Sequence, residues 1–289
     1  MKVTILGSTG LLGKALMGAW RRDEVQGLGS GDLDIRDAQK VRDVVQAARP
    51  QWIVLAAAYT NVDDCESNQD LAFSVNRDGA VNVANAAKEA GARLLFLSSD
   101  YVFDGRKMSP YEANDARNPQ SVYGRSKAEA ELRLLDVMPE CCISRTSWLF
   151  GAGGKCFPDT ILKLAVSRPS LDVVSDQRGC PTYAADLADA IIQLCRANAS
   201  GIVHATNSGD CTWFEFAREI VHGSGLQTAV RPVNSAQMAR PAPRPAYSVL
   251  SPKSLHKFGI TLPTWQDGLL RYLQARGEEA ANMRGMRGC

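Results

Sequence analysis

Histidine is scarce in this chain: 289 residues hold 3, at His204, His222 and His256. They lie so far apart in sequence that a histidine-based metal centre is not expected. The 8 cysteines (Cys65, Cys141, Cys142, Cys156, Cys180, Cys195, Cys211 and Cys289) contain no Cys-x-x-Cys pair. They read as reduced, mostly buried thiols, not as a disulfide frame. Cys289 does not form a prenylation box. Charge of one sign is also missing. The formal net charge is +2 with acids and bases interleaved, so nothing resembles a footprint for nucleic acid. No apolar run reaches the ~18 residues of a membrane span, and Met1-Lys2-Val3-Thr4 leads directly into a strand pattern without a signal peptide. The expectation is a cytoplasmic protein with no membrane or nucleic-acid partner.

What is present belongs to an ordinary globular chain, 45% hydrophobic and 22% charged. Its length suits one domain or one domain plus a smaller lobe. Lys2 to Leu6 is a short strand pattern, after which Gly7-Ser8-Thr9-Gly10-Leu11-Leu12-Gly13 opens a helix. A glycine-rich turn between a strand and a helix is the setting of a dinucleotide site. The glycines allow close backbone approach, and the helix N-terminus offers free N–H groups to a pyrophosphate. A second strand, Val25 to Leu28, ends in Gly29-Ser30-Gly31 with no acid at its tip, a position where Asp or Glu would select NAD. Asp34, followed by Ile35, is placed to reach the adenine, while Asp37 reads as the N-cap of a helix over 38–48. NADPH is therefore the expected cofactor, with NADH as the alternative.

Further along, a strand over 52–56 ends in Ala56-Ala57-Ala58-Tyr59, small residues against which a cofactor could lie. A long helix is expected over 69–90, a strand over 94–97 ending in Ser98-Ser99-Asp100-Tyr101, a helix over 121–137 and a strand over 141–145 leading to Trp148. Strands alternating with helices predict an α/β fold with a doubly wound parallel (Rossmann) sheet. The segments after each strand should then meet in one crevice. The expected division is a nucleotide-binding Rossmann domain over 1–150 to which later segments return, a smaller α/β substrate-binding lobe over 151–275, and a frayed tail over 276–289. The last helix is expected to end near Ala275.

Tyr123 and Lys127 stand four apart in the 121–137 helix and so project to one side. A phenol titrates near ~10 in water, and a fixed ammonium beside it favours the phenolate and lowers that value. With a serine hydroxyl from the neighbouring strand end, the set suits proton donation to a carbonyl that receives a hydride.

These motifs together resemble the dTDP-4-dehydrorhamnose reductases, within the extended short-chain dehydrogenase/reductase superfamily. The likeness runs from Gly7 to about Leu273. It includes Ala56-Ala57-Ala58-Tyr59-Thr60-Asn61-Val62-Asp63, Ser99-Asp100-Tyr101-Val102-Phe103-Asp104-Gly105, Tyr123-Gly124-Arg125-Ser126-Lys127, Arg145-Thr146-Ser147-Trp148 and Asp176-Gln177-Arg178-Gly179-Cys180-Pro181-Thr182. The resemblance implies NADPH-dependent reduction of the C4 keto group of a nucleotide-linked 6-deoxy sugar, with Ser99, Tyr123 and Lys127 as the catalytic set. Lys127 would bind the nicotinamide ribose and lower the Tyr123 pKa. Cofactor contacts are expected at Gly7, Thr9, Gly10, Leu11, Leu12, Gly13, Asp34, Ile35, Ala56, Ala57, Ala58, Tyr59, Ser98, Tyr123 and Lys127. Substrate contacts are expected at Val62, Ser99, Asp100, Tyr101, Tyr123 and Trp148, with Trp148 stacking on the sugar or closing over it. The resemblance also admits a homodimer with Mg2+ at its contact, through Glu278 and Glu279.

The pattern departs near Val249, where the family has an arginine after a segment matching Arg244-Pro245. Two alternatives remain open: another nucleotide-sugar epimerase or dehydratase of the superfamily, or a non-catalytic regulatory subunit on the same fold. Dehydratases carry Asp-Glu after the strand-end hydroxyl; here the pair is Asp100-Tyr101.

Overall fold

The computed structural model describes the backbone of residues 1–286 and the side chains of residues 1–277. Its first half alternates β1 (Lys2–Leu6), α1 (Leu11–Ala19), β2 (Glu24–Leu28), α2 (Ala38–Ala48) and β3 (Trp52–Leu55). Short helices α3 (Val62–Ser67) and α4 (Gln69–Phe73) precede α5 (Gly79–Ala90), β4 (Arg93–Ser99), α6 (Val122–Val137) and β5 (Cys142–Thr146). Then come β6 (Leu149–Phe150), α7 (Phe157–Ser167), β7 (Ser170–Val174), β8 (Arg178–Gly179), β9 (Thr182–Tyr183) and α8 (Ala184–Arg196). The chain continues through β10 (Gly201–His204), β11 (Cys211–Thr212), α9 (Trp213–Gly223), β12 (Ala229–Val233), α10 (Lys253–His256) and α11 (Trp265–Met286). α11 thus runs past Ala275, where the sequence pattern weakens; Glu278 and Glu279 have side chains outside the described residues.

Six strands form one parallel sheet in the order β2-β1-β3-β4-β5-β10. Helices cover both faces, so the strands are apolar on both sides. Successive residues alternate between the two resulting cores. Val3, Ile5, Trp52, Val54, Leu95 and Leu97 face α1 and α8, whereas Ile53, Leu55, Leu94, Phe96 and Ile143 face α2, α5 and α6. The chain is therefore an α/β protein with a doubly wound sheet. A third core, built around Phe150, Ile161, Leu171, Phe216 and Trp265, lies among α7, β7, α9 and α11.

Local chemistry sets the helix starts. The side chain of Asp37 accepts from the Lys40 N–H at the head of α2, as the sequence predicts, and Ser121 does the same for Gly124 at the head of α6. The expected single helix over 69–90 is broken into α4 and α5 by a π-helical turn, Ser74–Asp78. The reason is Asn76. Its buried carboxamide accepts from the Tyr59 N–H at 2.8 Å and donates to the Tyr59 carbonyl at 3.1 Å and to Ser126 Oγ at 2.9 Å. A wide turn of this kind commonly re-aims a residue at a functional site. The seven described cysteines are buried free thiols.

Chain direction across the sheet reverses between β1 and β3, and at such a switch point the loops diverge and leave a crevice. Gly7 sits there with φ +93°, and a Cβ on it would lie 2.5 Å from the Ala57 nitrogen. A Cβ on Gly13 would lie 2.1 Å from the Gly7 carbonyl oxygen. Gly13→Ala is accordingly expected to cost roughly 1–3 kcal/mol by overpacking, read as a lower urea midpoint at unchanged slope. An unchanged midpoint would show that the loop is not closed against α1 as described.

Candidate active site

The loops that follow β1, β2 and β3 border a cleft of about 270 Å3, lined by Gly7, Leu28, Gly29, Ser30, Leu33, Asp34, Ile35, Arg36, Ala57, Ala58, Leu71 and Val75. Gly10 caps α1 with an extended backbone and no side-chain hydrogen bond, so the first-turn N–H groups of α1 keep no side-chain partner. Thr9 packs against the would-be Cβ position of Gly29, joining the β1 loop to the β2 tip. Leu12 is buried in the sheet core, and Leu11 packs on the third core; both therefore serve this loop through their backbones. Ala56 belongs to one sheet core and Ala57 borders the other, and Tyr59 is fixed through Asn76. These glycines, the uncapped helix end and the apolar slot fit a dinucleotide, which they would hold through backbone N–H groups, Ala57 and Ala58.

Beyond β4 the chain turns at Ser99, whose hydroxyl accepts from the Tyr101 N–H at 3.2 Å and donates to Asp100 Oδ1 at 2.8 Å. Asp100 is buried, and desolvation pushes its carboxyl up to about 6 against hydrogen bonds from the Ser248 and Ser99 hydroxyls. Tyr123, in the first turn of α6, meets Tyr101 edge-on with ring centroids 5.6 Å apart. Lys127 is 2% exposed, and its ammonium lies 4.2 Å from the centre of the Phe96 ring.

The electrostatics differ from the sequence expectation. Burial and then the Asp100 charge push the Tyr123 phenol above its ordinary value, against a hydrogen bond from Ser99. The expected lowering by Lys127 is thus not found in the free protein. Lys127 is itself stripped of water, and burial draws it down to about 7 against the opposing pull of Glu131.

Ser98 is drawn away from the cleft. Its hydroxyl donates to Glu131 Oε1 at 2.5 Å. Glu131, fully buried one turn after Lys127, also accepts from Arg145 Nε at 2.8 Å and Nη2 at 2.6 Å and from Arg117 Nε at 2.5 Å. His204 abuts Arg145 at 3.3 Å and is pushed down to about 3 by burial and that guanidinium. The sequence reading missed this network. Its signal was there: Tyr123, Lys127 and Glu131 recur every fourth residue on one helix, and Arg145 interrupts an otherwise apolar strand.

A second, larger cavity of about 670 Å3 opens beside Tyr101 and is lined by Phe157, Ile161, Leu164, Trp213, Arg240 and Arg244, among others. Asp63, one residue after Val62 at the start of α3, accepts from Arg244 at 2.9 Å and Arg240 at 3.4 Å. This joins the 240–244 loop to the segment that follows β3. Trp148, expected to face the sugar, has φ +46° and stacks on Trp213 with centroids 3.5 Å apart. It is wedged so near Gly179 that a Cβ there would lie 2.6 Å from its ring.

The Lys127 shift has a consequence for stability. Its folded value near 7 lies below the ordinary 10.5, so between those pH values the unfolded chain binds the extra proton. Stability of the free protein therefore rises with pH through that window, and the penalty is full below it. Lys127→Met is expected to raise Tm by roughly 3 °C or more near neutral pH, with the gain shrinking towards about pH 10. Thermal melts without nucleotide check this; a gain independent of pH would remove Lys127 titration as its source.

Residues 1–277 match the family described as RmlD substrate binding domain. A spore coat polysaccharide biosynthesis protein, SpsK, from Bacillus subtilis is 40% identical over 277 residues, covering 95% of this chain and 98% of that one. A dTDP-4-dehydrorhamnose reductase from Sinorhizobium fredii is 38% identical, covering 95% and 97%. Among solved structures, a dTDP-4-dehydrorhamnose reductase from Bacillus anthracis in complex with NADP is 37% identical, with a TM-score of 0.93 over 95% of this chain and 100% of that one. With the glycine-lined crevice and the Ser99, Tyr123 and Lys127 cluster, these matches make the chain a member of the RmlD family of dTDP-4-dehydrorhamnose reductase-like proteins.

Proposed function

We propose that this protein is an NAD(P)-dependent oxidoreductase that reduces the C4 keto group of a nucleotide-linked 6-deoxy sugar, converting dTDP-4-dehydro-L-rhamnose to dTDP-L-rhamnose with NADPH. The observation that supports the reading is the approach of the Ser99 hydroxyl to the Tyr123 phenol at the carboxyl end of β4, with Lys127 one turn further along α6. The cofactor supplies the hydride when bound.

Tyr123 holds the proton that the carbonyl oxygen takes up. Burial and the Asp100 charge keep the phenol protonated until that oxygen begins to develop charge, which suits an acid more than a base. Ser99 supports the same oxygen when its single hydroxyl proton turns from Asp100 Oδ1 towards it. Lys127 serves the cofactor ribose. Its depressed value means that bringing an acceptor to the ammonium restores the charged form.

The second cavity takes the nucleotide end, with Phe157 and Trp213 as an aromatic wall and Arg240 and Arg244 near the diphosphate. Val62, Asp100, Tyr101 and Trp148 border the sugar. In this division residues 1–150 carry the cofactor and 151–275 mainly the substrate. Tyr101 in place of a second carboxylate supports reduction over elimination of water.

Tyr123→Phe is expected to lower turnover by roughly 10²–10⁴-fold while leaving NADPH affinity near that of the parent. The checks are loss of nicotinamide absorbance with dTDP-4-dehydro-L-rhamnose and a separate binding titration. Undiminished turnover in the variant would overturn the proton-donor role, and cofactor binding by the parent without turnover would favour a non-catalytic subunit.

A further inference from the structure

Ser99 has one hydroxyl proton and two claims on it. In the free protein its oxygen accepts from the Tyr101 N–H at 3.2 Å and its proton goes to Asp100 Oδ1 at 2.8 Å. A hydroxyl donates once, so while that bond stands Ser99 has nothing to offer a carbonyl oxygen beside Tyr123. The group that holds the proton is a carboxyl only 1% exposed. The bonds it accepts come from the Ser248 and Ser99 hydroxyls and from backbone N–H groups, not from a cation. Around it stand Tyr101 on its own turn, with the Arg244 guanidinium 5.9 Å from that ring, Tyr123 at the head of α6, Lys127 one turn further on, and the Cys180 thiol after β8. After burial, the Asp100 charge adds to the upward push on both phenols and on the thiol. A charge placed in this way is costly, and the carboxyl is pushed up to about 6.

We propose that Asp100 works as a neutral acid during the reduction, donating to Ser99 Oγ and so turning the one Ser99 proton onto the substrate oxygen. It is a positioning residue that acts through Ser99, and the inference rests on the reductase reading. In that form every bond has a donor and an acceptor. The Asp100 O–H meets Ser99 Oγ, the Ser99 and Tyr123 hydroxyls both meet the oxygen that develops charge, and Ser248 stays on the carboxyl. With Asp100 ionised, Ser99 leaves either the substrate oxygen or a buried carboxylate short of a bond, and each raises the barrier. Discharge also removes the charge that raises Tyr123, while burial keeps the phenol protonated. An anionic substrate that closes the site shifts the carboxyl further towards its neutral form. Neutral Asp100 is lost as pH rises through its folded value, so turnover falls on the alkaline side.

The test is the pH dependence of initial turnover at saturating NADPH and dTDP-4-dehydro-L-rhamnose, in the parent and in Asp100→Asn, whose amide N–H can donate to Ser99 at every pH. Lys127, drawn down to about 7, titrates in both proteins. The quantity compared is therefore the ratio of turnover at about pH 5.5 to turnover at about pH 8.5, which is expected to be about 10-fold or more larger in the parent than in Asp100→Asn. Ser99→Ala, which has no proton to redirect, is expected to lose the extra fall as well. Where Asp100→Asn is too slow to assay, the infrared difference between parent and variant, each with NADPH and dTDP-L-rhamnose at about pH 6, decides the case. A protonated-carboxyl stretch in the parent is expected, and its absence would overturn the role. Equal ratios, or an extra fall that survives in Ser99→Ala, would overturn it too while leaving the reductase reading in place. No turnover by the parent at any pH would overturn both.

Discussion

A single buried carboxylate ties together the parts of the chain that make up the site. Glu131 accepts from Ser98 at the end of β4, from Arg145 in β5 and from Arg117 in the loop before α6. A charge without water is costly unless it is fully paired, so these groups have one low-energy arrangement. In that arrangement α6 is locked to the strand ends. Ser98 and Arg145 are also register partners across β4 and β5, so the network spans neighbouring strands and the helix that covers them. Tyr123 and Lys127 occupy the two preceding turns of the same helix, and Ser99 is the next residue of the same strand. Their mutual placement follows from where Glu131 is satisfied.

The network also shapes the charges. Arg145 and burial keep His204 neutral, and Glu131 partly offsets the cost of hiding Lys127. Around Tyr123 the balance runs the other way, since Asp100 and dehydration both favour the neutral phenol. A phenol and an ammonium on successive turns of α6 are thus each displaced by burial from the value in water. A second tie, from Asp63 to Arg240 and Arg244, links the segment next to the dinucleotide cleft with the wall of the larger cavity.

Much of the fold was legible in the residues. The apolar runs at β1, β3 and β4, the glycine turn after β1 and the cap at Asp37 depend on short-range sterics and hydrogen bonding. What failed to show was also physical. The helix over 69–90 has no proline, and its π-helical turn carries Asn76, which bonds to Tyr59 and to Ser126, the latter 50 positions away. The stacking of Trp148 on Trp213 and its close packing on Gly179 bring together segments far apart in the chain. Ser98 belonged to the right strand end, but the alternation of side chains along β4 turned its hydroxyl to Glu131.

The sequence by itself determined the alternation of strands and helices, the glycine-rich turn after β1 and the placing of Tyr123 and Lys127 on one side of α6, because each depends on residue type and spacing within one element or one turn. Tertiary structure decided the strand order and its switch point, the approach of Ser99 to Tyr123, the direction of the Tyr123 shift and the aromatic cavity that opens beside Tyr101. Those depend on desolvation and on partners brought from distant parts of the chain, and neither quantity exists until the chain has folded.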